Sequence, residues 1–431
     1  MRAKHAARLD RTVEPRTDVG RDMNWWVQFG VLFFPSVLAA QIPTSEHLSP
    51  SGLPNPVLVV AGELPKDFEN KDKSPVTNAL KDEAPAGFEF LRSPTDEPRA
   101  GMVGMHVPNE AIFQIKKRTM SNLGKGTVTL RLAKSAQRNT RAVELSGRKT
   151  ADYNELRRAA FERAAGSVYP PKEPSQPVVP KGTLVIIGGG GMSREISRRF
   201  FDAGGGAKGR FVILPIALPD PIREKAEQSF IARMGAKNVT VIAHREQKDL
   251  EDPKVLKVFD EATGVWFGGG RQWNFVDAYE GTKVAPLIRA VLERGGVIGG
   301  SSAGATIQGD YMVRGAPAGP HIMMCEGYEK AMGFLPGVAI DQHFAARNRF
   351  KDMTALMAAY PQFLGIGLDE STAIVVQGST AEVLGRGKVY FYDRRKPVKE
   401  GDPDYEACPA GVKYDLVKRA RISETASKAA D

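Results

Sequence analysis

After Lys181 the chain alternates short apolar runs with longer segments of helical period, and few folds accommodate that order. The runs at residues 183–187, 211–216, 238–242, 264–267, 297–299 and 338–342 read as parallel strands. Segments 195–201, 223–234 and 284–293 have the apolar spacing of the helices that would connect them. Parallel neighbours require such crossovers, so the pattern predicts an open, mostly parallel α/β sheet with helices on both faces. Functional groups in such sheets gather beyond the carboxyl ends of the strands. No internal repeat interrupts the alternation.

The most distinctive strand end is GGVIGGSSAGATIQG, residues 295–309. It reads as a strand, a sharp turn with Ser302 at its apex, and a helix start. Small residues on both sides permit a strained turn that lifts the hydroxyl clear of the sheet, as in a nucleophile elbow. The Ala303 N–H, at the start of the new helix, is placed to stabilise an oxyanion beside that hydroxyl. A second strand-end loop, GGGRQ at residues 268–272, lets backbone N–H groups approach a bound group closely. Residues 188–191 form a third glycine loop. The third glycine of a dinucleotide fingerprint is replaced there by Ser193 or Arg194 and no phosphate-loop lysine follows, so the loop reads as a tight turn beside the site. No cofactor is expected.

A serine of this kind needs a base, and the chain has 6 histidines. His343 alone ends an apolar strand run, and alternation puts Asp341 on its face. The orienting carboxylate is expected in GLDE, residues 367–370, where Asp369 and Glu370 are both candidates. The order serine, histidine, acid differs from that of α/β-hydrolases and argues against a lipase or esterase of that fold. Two cysteines, Cys325 and Cys408, allow one disulfide; there is no Cys/His spacing for a metal site, and none is expected.

Four ordered motifs now resemble one family. GGSSAGATIQGD (299–310), GGRQ (269–272) followed by GT (281–282), DQHFAARNR (341–349) and GLDESTA (367–373) are similar to the cyanophycinases, serine peptidases related to aspartyl dipeptidases on a class-I glutamine amidotransferase-like, flavodoxin-like fold. The resemblance covers roughly residues 181–393. It implies Ser302 as nucleophile, His343 as base and Glu370 as orienting acid, with the backbone of Gly270 and Ala303 as oxyanion hole. It also implies that Gln272, Asp341, Gln342, Arg347 and Arg349 bind a β-linked Asp-Arg unit of cyanophycin, an arginine-decorated polyaspartate. Arginines at 347 and 349 suit carboxylates, and Asp341 suits a substrate cation. Three departures are visible: Arg271 stands where an acid is usual, the first glycine loop lacks the usual acids, and the arginine expected shortly after Arg349 is absent, Lys351-Asp352-Met353 standing there instead.

The rest of the chain is organised around this unit. Residues 1–40 combine a basic flank with the apolar run WWVQFGVLFFPSVLAA, which reads as a signal peptide or N-terminal anchor, with cleavage after Ala39 and an exported product, periplasmic or extracellular. The same segment would supply any transient membrane contact. Residues 41–56 read as a linker, 57–168 as a small α+β domain of unassigned role, 169–181 as a Pro-rich linker, 182–395 as the catalytic domain and 396–431 as a C-terminal extension. Within the small domain, residues 116–149 hold ten Lys or Arg and one acid, Glu144. With no aromatic residues interleaved, that run reads as a solvated face rather than a patch for an anionic polymer. The net charge of +10 comes with no nucleic-acid motif, so no nucleic-acid partner is expected; a homodimer is compatible with the sequence. The expected function is that of an exported serine peptidase of aspartyl bonds. The rivals are an amidase or dipeptidase for other small substrates and a non-catalytic binding protein on the same fold.

Overall fold

The computed structural model describes residues 84–423 apart from 117, 148, 166–168, 220–221 and 396, together with the backbone of Leu58–Val60 and Thr77–Asn78. The expected leader (1–40) and first linker (41–56) lie outside the described residues.

Nine strands form the central sheet. Its parallel half runs Asn238–Val241, Arg210–Leu214, Gly264–Phe267, Val297–Ser301 and Val179–Ile187 from the edge inward. Thr372–Gly378, Thr380–Gly385, Lys413–Asp415 and Ala420–Arg421 continue it in antiparallel order. Burial on both faces explains why the parallel strands read as unbroken apolar runs. Leu184, Ile186, Val212, Leu214, Val265, Phe267 and Ile298 pack to one side, with helix Val284–Glu293 and helix Trp273–Tyr279. Val185, Ile187, Phe211, Ile213, Trp266 and Val297 pack to the other, with helix Arg194–Ala203. The two-residue strand period has sorted consecutive side chains into two cores.

Three expectations change here. Val338–Asp341 is not a strand of the central sheet: it pairs in parallel with Leu364–Leu368 in a separate four-stranded sheet completed by Lys388–Asp393 and Glu406–Pro409. The stretch after 395, expected as an extension, supplies edge strands to both sheets, because Tyr414, Leu416 and Cys408 are buried in the main core. The helix expected at 223–234 is reduced to a turn at Ala226–Gln228 and one helical turn, Phe230–Arg233, which Ser229 caps through its side chain. Cys325 and Cys408 are buried free thiols, so no disulfide joins them.

The N-terminal residues form two small sheets. Phe88–Phe90, Val103–His106, Val128–Leu132 and Arg141–Leu145 make one; Phe113–Lys116 and Thr119–Asn122 lie in the other. Helix Tyr153–Ala164, capped by Asp152, packs Leu156, Ala159 and Ala160 into their common core. The basic run at 116–149 is a solvated face only in part: Lys125, Lys134 and Lys149 are exposed, while arginines of the run turn to acids of the catalytic unit. Arg118 pairs with Asp277 and lies 4.1 Å over the Trp273 ring, and Arg138 pairs with Glu329. Arg163, from the helix, grips Glu326 with Nε at 2.6 Å and Nη2 at 3.1 Å. These arginines dock the small domain on the acidic stretch 326–329 and on the helix that follows the second glycine loop. Such pairs cost desolvation, and their directional hydrogen bonds set the docking register.

Candidate active site

Ser302 sits between strand Val297–Ser301 and the helical turn Ala303–Thr306, with φ +57 and ψ −114. That conformation is strained for a residue with a Cβ, and it persists because the turn is wedged between neighbours. Its N–H donates to the Ile187 carbonyl at 3.1 Å, and a Cβ on Gly304 would collide with the Phe267 carbonyl oxygen. His343 follows strand Val338–Asp341, also at positive φ (+51), with its N–H donating to the Gly188 carbonyl at 2.6 Å. Glu370 ends the turn after Leu364–Leu368 and precedes Ser371, at φ +56. Of the six non-glycine residues at positive φ among the described residues, Ser302, His343 and Ser371 thus meet at one place.

The side chains meet as well. Ser302 Oγ lies 2.9 Å from His343 Nε2, and His343 Nδ1 lies 2.5 Å from Glu370 Oε1. Asp369, the other candidate acid, is committed elsewhere: Oδ1 accepts from the Ala345 N–H, and Oδ2 from the Lys388 N–H and the Tyr390 hydroxyl. Burial lowers the pKa of His343 below its ordinary value, and Arg347 and Arg349 push the same way, while the hydrogen bond and charge of Glu370 oppose them. The imidazole is therefore kept neutral near pH 7, the form that accepts a proton.

The glycine loops frame this relay. Gly189 packs against the His343 ring and Gly190 against Glu370, so the first loop is a tight turn beside the relay. In the second loop a Cβ on Gly269 would sit 3.5 Å from Ser302 Cβ, and Gly270, at φ +136, has no room for one against the Ala217 carbonyl. Among the described residues neither the Gly270 nor the Ala303 N–H has a hydrogen-bond partner.

The residues expected to hold substrate divide into two groups. Arg347 is exposed, and Gln342 is buried with a side-chain oxygen that has no partner among the described residues, so both have capacity to offer. Gln272, Asp341 and Arg349 are spent on the protein itself. Gln272 Nε2 donates to the carbonyls of Val313 and Arg314, both at 2.8 Å. Asp341 is fully buried between Arg349, at 2.6 Å, and Arg314, whose Nε lies 3.1 Å from each carboxylate oxygen. The expectation that Asp341 meets a substrate cation is corrected: two guanidinium groups already neutralise it. Arg314 was not foreseen. It is buried, at φ +55, and also reaches Asp352 at 2.7 Å, so it ties the strand before His343 to helix Phe350–Ala359.

Known proteins resolve the family. The profile of peptidase family S51 matches residues 184–384. The cyanophycinase of Trichormus variabilis is 32% identical over 236 residues, covering 53% of this chain and 78% of that protein. The chain belongs to peptidase family S51. The cyanophycinase of Geminocystis herdmanii is 31% identical over 221 residues, 49% of this chain and 81% of that protein. Among solved structures, a peptidase from an acI-B1 Actinobacterium aligns at 21% identity with a TM-score of 0.42, over 55% of this chain and 97% of that one. As an S51 member the protein is a serine-type peptidase with an α/β fold.

Proposed function

We propose that this S51 peptidase cleaves aspartyl peptide bonds through Ser302, His343 and Glu370. The observation that carries the reading is the continuous contact from Glu370 Oε1 through the imidazole to Ser302 Oγ, beside two unspent N–H groups. With its proton on Nδ1, held by Glu370, His343 accepts the serine proton at Nε2 as Oγ attacks the scissile carbonyl. The oxyanion that forms is received by the Gly270 and Ala303 N–H groups. His343 then returns the proton to the leaving amine, and a water molecule, activated by the same base, releases the acyl group. The relatives named cyanophycinases make a β-linked aspartyl bond, with β-Asp-Arg as reference peptide, the first bond to test.

Purified protein incubated with β-linked and α-linked aspartyl dipeptides should release free aspartate. Ser302→Ala should abolish release with the fold intact, while Ser301→Ala keeps most of it. Equal loss from both changes removes Ser302 from its role. A protein that binds these peptides but releases nothing, and whose Ser302 resists an active-site serine probe, is the binding protein instead. We also propose export on the basis of the N-terminal run of apolar residues. Mass spectrometry of the protein from its own cells should find a chain beginning near Ala40 outside the cytoplasm; an intact N-terminus in the cytosolic fraction refutes it.

A further inference from the structure

Among the described residues, the acids of the motifs that build the relay are spent and two of their cations are not. Glu370 is held by His343, and Asp369 by two backbone N–H groups and Tyr390. Asp341 is enclosed by Arg314 and Arg349, and Asp352 is paired with Arg314. Arg271 follows Gly270 directly; its N–H donates to the Ala217 carbonyl at 2.8 Å, and its side chain is exposed with no ion pair among the described residues. The next side chain, Gln272, turns inward to the 313–314 carbonyls, which fixes the loop that presents Arg271 to solvent. Arg347, likewise exposed and without an ion pair among the described residues, lies on the turn Ala345–Arg347 just beyond His343.

A β-linked aspartyl dipeptide keeps one free carboxylate on its aspartyl unit and one at its carboxyl terminus. Among the described residues, a guanidinium on the second residue meets no unpaired acid of this set. A carboxylate there would have the exposed Arg271 guanidinium to pair with, on the loop whose Gly269 packs against Ser302. We propose that Arg271 is a specificity-determining residue, selecting aspartyl peptides whose second residue bears a carboxylate over those whose second residue bears a guanidinium. The inference rests on the aspartyl peptidase reading above and names the substrate class within it. The contact is solvent-exposed, so the selection is moderate and screened by salt.

The test is a panel of β-Asp-Glu, β-Asp-Ala and β-Asp-Arg, assayed by kcat/KM at low and high salt with wild type, Arg271→Gln and Arg271→Asp. Wild type should rank Glu over Ala over Arg, with a Glu-to-Arg ratio of roughly five- to tenfold at low salt. Arg271→Gln should bring that ratio close to one, Arg271→Asp should invert it, and added salt should compress it in wild type. Because Arg271 is exposed, both variants should melt as wild type does. Hydrolysis of the panel with β-Asp-Arg preferred, or with a ranking that Arg271→Gln leaves unaltered, overturns the inference while leaving the aspartyl reading in place. Hydrolysis of α-linked aspartyl dipeptides with none of this panel cleaved overturns the inference alone, and labelling of Ser302 with neither set hydrolysed overturns the aspartyl reading and this inference with it.

Discussion

Replacing Glu370 by glutamine tests the relay at its most informative point. The amide keeps the size and one acceptor oxygen of the carboxylate, so His343 can remain seated, but the charge that stabilises the imidazolium is lost. For a buried acid in this role the equivalent change costs about 10⁴ in kcat, which is about 5 kcal/mol of barrier at about 1.4 kcal/mol per tenfold. The Glu370 side chain is 45% exposed, so water already screens roughly half of that interaction. The expected loss is therefore on the order of 10² in kcat, with KM little changed, because the interaction grows as charge develops. The pH profile gives a second reading. Glu370 raises the His343 pKa against burial, so its removal lowers that pKa further and moves the acid limb of kcat/KM to lower pH. Steady-state kinetics across pH on wild type, Glu370→Gln and Asp369→Asn settle the assignment. Asp369 serves a turn held at Ala345 and Lys388, so Asp369→Asn should cost stability and only a few-fold in kcat. A larger kcat loss from Asp369→Asn, or a Glu370→Gln effect confined to KM, would refute the reasoning.

Gly189→Ala should lower kcat on the order of tenfold or more while the protein still melts cooperatively, since the added methyl displaces the His343 ring and an imidazole misplaced by an ångström is a poor base; unchanged kcat would show the ring is not seated there. Glu162→Gln tests the docked domain. Its carboxyl is buried near Glu329 and Glu280, accepts the Gly327 N–H and is pushed up to about 7, with Arg158 and Arg138 opposing the shift. A folded-state pKa above the ordinary one means stability present at low pH and lost as pH rises through about 7. The variant should therefore gain little stability near pH 4 and most above pH 7, up to roughly 3 kcal/mol by denaturant unfolding, whereas a gain confined to acid pH would refute the burial of that charge.

The parts of this molecule that were legible in the sequence are those whose determinants are local. The Ser302 turn is written in consecutive small residues between an apolar run and a helix start, and the two-sided core is written in runs such as LVII and FVIL. Val338–Asp341 looks like those runs, and nothing within it records that its partner is Leu364–Leu368 rather than a strand of the main sheet. Pairing is decided by which edge is free when the chain returns, and apolar content does not encode that.

The paired arginines are hidden in the sequence for a related reason. Arg118 and Arg138 meet Asp277 and Glu329, acids more than 150 residues further along the chain, so a count taken within 116–149 sees only one side of each pair. Asp341 and Arg349 stand eight residues apart, yet residue type alone suggested two separate substrate contacts. They find one another because the turn through Ala345–Arg347 folds the start of helix Phe350–Ala359 back onto the strand end, and Arg314 completes the cluster from a stretch with no regular period. A buried carboxylate left unpaired would be costly, so the fold answers Asp341 with arginines before any substrate arrives. Among the described residues, Arg271 and Arg347 are left exposed and without an ion pair. The electrostatics a substrate meets are therefore the remainder after the protein has neutralised its own interior, and that remainder is read from the pairing and not from the composition of the motifs.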